Sequence, residues 1–178
     1  MAVILVGVGI EFGLVIELEN SSPVEAEMTT ATSSPVTRST TTHSTIMPAL
    51  RYRNAPAAID WLCNVLGFAR HAVYPGPENT IGHAELTLNG GMIMLGSYKD
   101  DAYGKGFKSP GDLGGFETRS AYVIVDDADA VYARAQSAGA VVARPIQNTD
   151  YGSREFTIKD PEGHSWSVGT YDPWRAQG

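Results

Sequence analysis

A chain of 178 residues with 43% hydrophobic content can bury one core, and a mean hydropathy of −0.13 points to a soluble domain with no membrane partner. One cysteine, Cys63, excludes an internal disulfide and makes a cytoplasmic setting the default expectation. The formal charge of −7 divides unevenly: five acids and one base precede Met47, leaving 15 acids against 12 bases after it, so nothing in the charge recommends nucleic acid as a partner.

Residues 1–46 read as an N-terminal extension outside the fold. Met1 to Leu18 is apolar, but Glu11 and Glu17 interrupt it and no basic stretch precedes it, so it fits neither a secretory signal nor a spanning helix. Thr29 to Thr45 is nearly all Ser and Thr and reads as disordered linker. Met47 directly precedes the first patterned segment and is the expected natural start, the extension being dispensable or non-native.

From Met47 the pattern is β-α-β-β-β. Pro48 to Arg53 is a strand with Leu50 and Tyr52 on one face. Ala55 to Leu66 is a helix with Pro56 in its first turn, an apolar stripe of Ile59, Leu62, Cys63 and Leu66, and Gly67 as its left-handed cap. Strands follow at Ala69 to Tyr74, Gly82 to Leu88 and Met92 to Ser97, the last two joined by Asn89-Gly90-Gly91. This first module spans residues 47–97. The Gly-rich stretch 98–118, carrying Tyr98, Tyr103, Phe107 and Phe116, is the connection.

The second module, 119–170, repeats the order. Arg119 to Val125 is a strand, Ala128 to Ala138 a helix capped by Gly139, and Val141 to Arg144 a strand ended by Pro145. Arg154 to Lys159 and Ser165 to Gly169 flank the turn Asp160-Pro161-Glu162-Gly163. Residues 171–178 form a tail. Gly67 and Gly139 lie 72 positions apart, and so do Gly91 and Gly163, so one unit is written twice.

Three blocks carry a family resemblance: Ala57-Ala58-Ile59-Asp60-Trp61-Leu62 through Leu66-Gly67-Phe68; Val125-Asp126-Asp127-Ala128-Asp129-Ala130 through Ala138-Gly139-Ala140; and Asp160-Pro161-Glu162-Gly163-His164. The chain from about Met47 to Asp172 resembles the vicinal oxygen chelate superfamily, with glyoxalase I, extradiol dioxygenases and the fosfomycin and bleomycin resistance proteins. Leu50-Arg51-Tyr52-Arg53 and Met92-Ile93-Met94-Leu95 are similar to its PhnB-like branch. The resemblance implies an α+β fold in which two βαβββ modules form a curved mixed β-sheet cleft. It also implies a homodimer, and antibiotic sequestration or metal-assisted lyase, isomerase or dioxygenase chemistry.

Family enzymes hold a divalent metal through His, Gln or Glu on the first and last strands of each module. Here those positions fall on Met47 or Pro48, Met94 or Leu95, Ser120 and Ser167. Thioethers, hydroxyls and hydrocarbon are poor donors to Zn, Fe, Mn or Ni, so no metal and no other cofactor is expected. His83 and Glu85, at i and i+2 on one strand face, are the best surviving pair. They suit a base with an orienting carboxylate, a polar ligand pocket, or a plain hydrogen-bonded surface pair. His164 reads as a turn residue bonding backbone and His71 as a half-buried sheet residue.

The resemblance places Ser120, Ser167 and Leu95 at the cleft, and strand alternation from those anchors and in the first strand adds Tyr122, Ser165 and Arg51, a mixed apolar and hydroxyl surface suited to a modest organic molecule. Two functions stay open. One is metal-free sequestration of a small molecule; the other is a small-metabolite enzyme using His83 and Glu85 or an unconventional metal site. The domain charge of −3 from Met47 onward gives little pull on a cationic drug such as bleomycin.

Overall fold

The computed structural model describes residues 44–175; the extension up to residue 43 and the last three residues of the tail lie outside the described residues. Strand β1 (Ala49–Tyr52) runs into α1 (Ala55–Trp61), whose first turn holds Pro56 and is capped by Asn54, its side chain accepting from Ala57 N at 3.2 Å. The helix loosens into one wide π-type turn over Leu62–Leu66 and stops at Gly67, whose φ of 88° is the left-handed conformation only glycine adopts cheaply. Strands β2 (Ala69–Pro75), β3 (Ile81–Leu88) and β4 (Gly91–Ser97) complete the module. Two short 3₁₀ turns occupy the connection, and β5 (Ala121–Ile124), α2 (Ala128–Ser137), β6 (Val141–Asn148), β7 (Arg154–Lys159) and β8 (Ser165–Gly169) repeat the plan.

Each module folds into a four-stranded mixed sheet, in the orders β1-β4-β3-β2 and β5-β8-β7-β6. In both, the first strand lies parallel to the last, because the helix between first and second strands carries the chain across the sheet; the hairpin partners are antiparallel. Alternate residues face the helices and form the core: Leu50 and Tyr52, Ala84 and Leu86, Ile93 and Leu95, Phe156 and Ile158, Trp166 and Val168. The other face of each sheet points away from the helices.

The Asp160 turn ties the modules together. Its carboxylate is buried and accepts from Tyr52 Oη at 2.7 Å, from Trp166 Nε1 at 3.1 Å, and from the backbone N–H groups of Glu162 and His164. A buried carboxylate is tolerated only when so many donors replace water. Glu162 accepts from the backbone N–H groups of Arg53 and Asn54, each at 2.7 Å, at the entry to α1. His164, 4% exposed, bonds the Arg51 carbonyl through Nε2 and Glu117 through Nδ1. Burial, followed by the Asp160 charge and hydrogen bond, pushes the Tyr52 phenol well above its usual pKa, which keeps it a donor.

Four expectations need correction. Strand β6 does not end at Pro145 but continues to Asn148; among the described residues it is an edge strand, paired with β7 alone, where a missing N–H is tolerated. His71 is exposed, because it sits at an irregularity in β2 between Arg70 and Ala72 on the sheet edge. Strand β5 starts at Ala121, which leaves Ser120 exposed ahead of it. Leu95 lies in the core at 2% exposure, opposite buried Leu50, so Met94 takes the outward place on β4.

Candidate functional site

On the outward face of the second sheet is a cavity of about 570 Å³, lined by Tyr122, Arg144, Tyr151, Glu155, Ser167, Tyr171 and Pro173. Its floor follows from register: Tyr122 on β5 pairs with Ser167 on β8, which pairs with Thr157 on β7, which pairs with Arg144 on β6. Thr157 and Ser167 hydroxyls lie 3.1 Å apart, and Arg144 Nε donates to Thr157 Oγ1 at 3.4 Å. Gly169 lets the floor close: a Cβ there would stand 2.5 Å from the Tyr122 hydroxyl and 2.7 Å from Glu155 Cβ. The Tyr122 hydroxyl instead accepts from Tyr171 N at 3.1 Å, which draws the tail over the cavity rim.

Glu155 anchors the wall. It is 3% exposed, pairs with Arg144 Nη1 at 2.7 Å and accepts from Tyr151 Oη at 2.9 Å. Burial by itself raises a carboxyl's pKa; here the hydrogen bonds from Arg144 and Tyr151 and the Arg144 charge outweigh it and hold Glu155 below the usual carboxylate range. The same hydrogen bond, helped by burial, raises the Tyr151 phenol. The Tyr151 and Tyr171 rings meet edge to face, centroids 5.7 Å apart.

Of the cleft residues expected from the sequence, Tyr122 and Ser167 line this cavity. Arg51 lies elsewhere, its guanidinium 5.3 Å from the Tyr103 ring centroid and 5.8 Å from that of Phe107, so it packs against a pair of neighbouring rings of the connection. Ser165 is half-buried, its N–H donating to Glu117 at 2.6 Å. Leu95 is in the core and Ser120 precedes the strand. On the first sheet, His83 Nε2 lies 3.2 Å from Glu85 Oε1, while His71 Nε2 lies 3.8 Å from Glu85 Oε2, so one carboxylate sits between two imidazoles.

Arg144, Tyr151 and Glu155 escaped the sequence reading. Simple alternation groups Arg144 with Val142 and Ile146, both of which pack on the core. Register shifts on either side of Arg144 turn it to the opposite face. A charged residue in phase with core positions, next to a proline, was the available signal. Glu155 was legible by parity with Thr157, opposite Phe156 and Ile158.

The family's metal does not fit these residues. Beside each other on the outward faces stand Ala49 and Met94 in one sheet and Tyr122 and Ser167 in the other. Among the described residues no group of three or more His, Cys, Asp or Glu is placed to hold a metal ion. The carboxylate of the cavity is already engaged by Arg144 and Tyr151.

Paired βαβββ modules of this topology, with their helices on one side and an open sheet face on the other, define a class of cleft-forming α+β proteins. The chain belongs to the glyoxalase/bleomycin resistance protein/dioxygenase superfamily, whose family model matches residues 43–168. It is 32% identical over 124 residues to the uncharacterised proteins Rv0887c of Mycobacterium tuberculosis and Mb0911c of Mycobacterium bovis, covering 70% of this chain and 72% and 81% of theirs. Among solved structures it is similar to TioX from Micromonospora sp. ML1, with a TM-score of 0.53 and 29% identity over 71% of this chain and 97% of that one. The PhnB protein of Bacillus cereus shares the fold at a TM-score of 0.51 and 21% identity, covering 70% and 98%.

Proposed function

We propose that this protein binds and sequesters a small organic molecule in the cavity of its second module, without metal-dependent turnover. The observation that carries the reading is the cavity itself. It is large enough for a modest ligand, walled by three tyrosines and a proline, and given orientation by Arg144 and the Ser167 hydroxyl, which is the make-up of a recognition pocket. The outward places beside it offer no set of metal donors. Two chains are proposed to pair as a homodimer, which light scattering of the purified protein checks directly.

A thermal-shift screen combined with metal analysis tests the reading. A true ligand raises the melting temperature by mass action, about 2.7 kcal/mol of added stability at one hundred times its Kd. Prior treatment with EDTA is expected to leave that shift unchanged. Stoichiometric Zn, Fe, Mn or Ni whose removal abolishes ligand binding or a catalytic activity overturns the proposal.

The carboxylate of Glu85 between His83 and His71 supports a second reading, a metal-free enzyme. There His83 serves as the acid or base and Glu85 orients it. Turnover of any substrate found that survives replacement of both residues by Gln removes them from the mechanism.

A further inference from the structure

We infer that the ligand of the second-module cavity is a planar aromatic carboxylate, an inference that rests on the binding reading above. The polar groups of the cavity are asymmetric. The carboxylate of Glu155 lines the wall but its side chain is only 5% exposed, and its Oε1 receives Arg144 Nη1 and Tyr151 Oη, so it offers a guest little surface. The more exposed polar groups are donors. A guanidinium has five N–H donors; Arg144 commits Nε to Thr157 and one bond of Nη1 to Glu155, and no acceptor among the described residues engages Nη2. Its side chain is 38% exposed, so those donors are reachable.

The hydroxyls add to the same side. Thr157 Oγ1 already accepts from Arg144, and when the Thr157 hydroxyl donates to Ser167 the Ser167 proton is released toward the cavity. The Tyr122 hydroxyl accepts from Tyr171 N, and among the described residues no acceptor takes its proton. A guest that brings acceptors is the one these donors engage. A carboxylate matches the free edge of the guanidinium in geometry and in charge, a neutral amide matches it only in part, and a cation meets a positive group far more exposed than the carboxylate that pairs with it. Tyr122, Tyr151, Tyr171 and Pro173 supply flat apolar walls, and about 570 Å³ admits a bicyclic ring system.

The test uses three probes on the full chain, read by calorimetry: 2-naphthoate, 2-naphthamide and 2-naphthylmethylammonium. Naphthoate is expected to bind at least about tenfold more tightly than either of the others. In the double variant Arg144→Gln/Glu155→Gln, which leaves no lone buried charge, the three affinities are expected to converge to within about threefold; circular dichroism confirms its fold, and Arg144→Lys serves in its place should it not fold, with the preference reduced but not inverted. Amide or ammonium binding as tight as naphthoate overturns the carboxylate assignment and leaves the binding reading standing, as does selectivity that survives in the double variant. Absence of saturable binding by all three probes overturns both.

Discussion

Replacing Arg144 by methionine should destabilise the protein more than replacing its partner Glu155 by glutamine. The two sides of the ion pair are unequally buried: the Glu155 side chain is 5% exposed and the Arg144 side chain 38%. Without Arg144, a buried carboxylate keeps only the neutral hydroxyls of Tyr151 and Ser153 as side-chain partners and loses its one cationic one. Breaking a buried pair in this way costs about 3 kcal/mol at the low end of the usual range, which is appropriate because Arg144 reaches solvent. Without the Glu155 charge, Arg144 can turn to water, and the loss is one charge-assisted hydrogen bond, about 1–2 kcal/mol. At roughly 2–4 °C per kcal/mol, Arg144→Met lowers the melting temperature by about 6–12 °C at pH 7.

The pH dependence gives the sharper check. The folded-state pKa of Glu155 is depressed, so its contribution is present above the unfolded carboxylate value of about 4.3 and is lost as pH falls through the lower folded value. In Arg144→Met, burial is no longer outweighed, and protonation relieves the lone carboxylate. The gap in melting temperature between the parent and Arg144→Met should therefore be widest above about pH 5 and narrow on acidification below about pH 4. Calorimetric melts of both proteins from pH 3 to 8 measure it. A gap that is constant across that range, or a methionine variant as stable as the parent at pH 7, refutes the reasoning.

Gly169→Ala places a methyl group against the Tyr122 hydroxyl and Glu155 Cβ; it should cost about 1–3 kcal/mol by urea melts and weaken ligand binding as Tyr122 is displaced. Tyr52→Phe deletes the 2.7 Å bond to buried Asp160 and should cost about 2 kcal/mol, with the Trp166 environment changed in near-UV circular dichroism. Replacing His83 and Glu85 together by Gln touches the other sheet and should leave affinity for a cavity ligand within about twofold, since distant sites act independently. A larger change couples the two faces and speaks for the enzyme reading.

Much of the fold was legible because its signals are local. Pro56 in the first turn of α1, the glycine stops at Gly67 and Gly139, and the alternation of Trp166 and Val168 against Ser165 and Ser167 depend on residues within a few positions of one another. The duplication was equally plain in spacing, and the irregularities in β2 and β6 recur at Arg70/Ala72 and Val142/Arg144, 72 positions apart. Strand β4 was not legible in phase, because it is apolar on both faces; its pairing with β1 decided that Leu95 goes inward and Met94 outward.

The sequence by itself determined two copies of one module, the core faces of most strands, and the lack of metal donors at the expected places. The tertiary structure decided where the cavity lies and what charges it. Arg144 reaches the open face because the edge strand slips against β7, and a slip is set by the partner strand, not by the residue that moves. Tyr52 and Asp160 are 108 positions apart, and only the packing of one module on the other brings the phenol to the carboxylate.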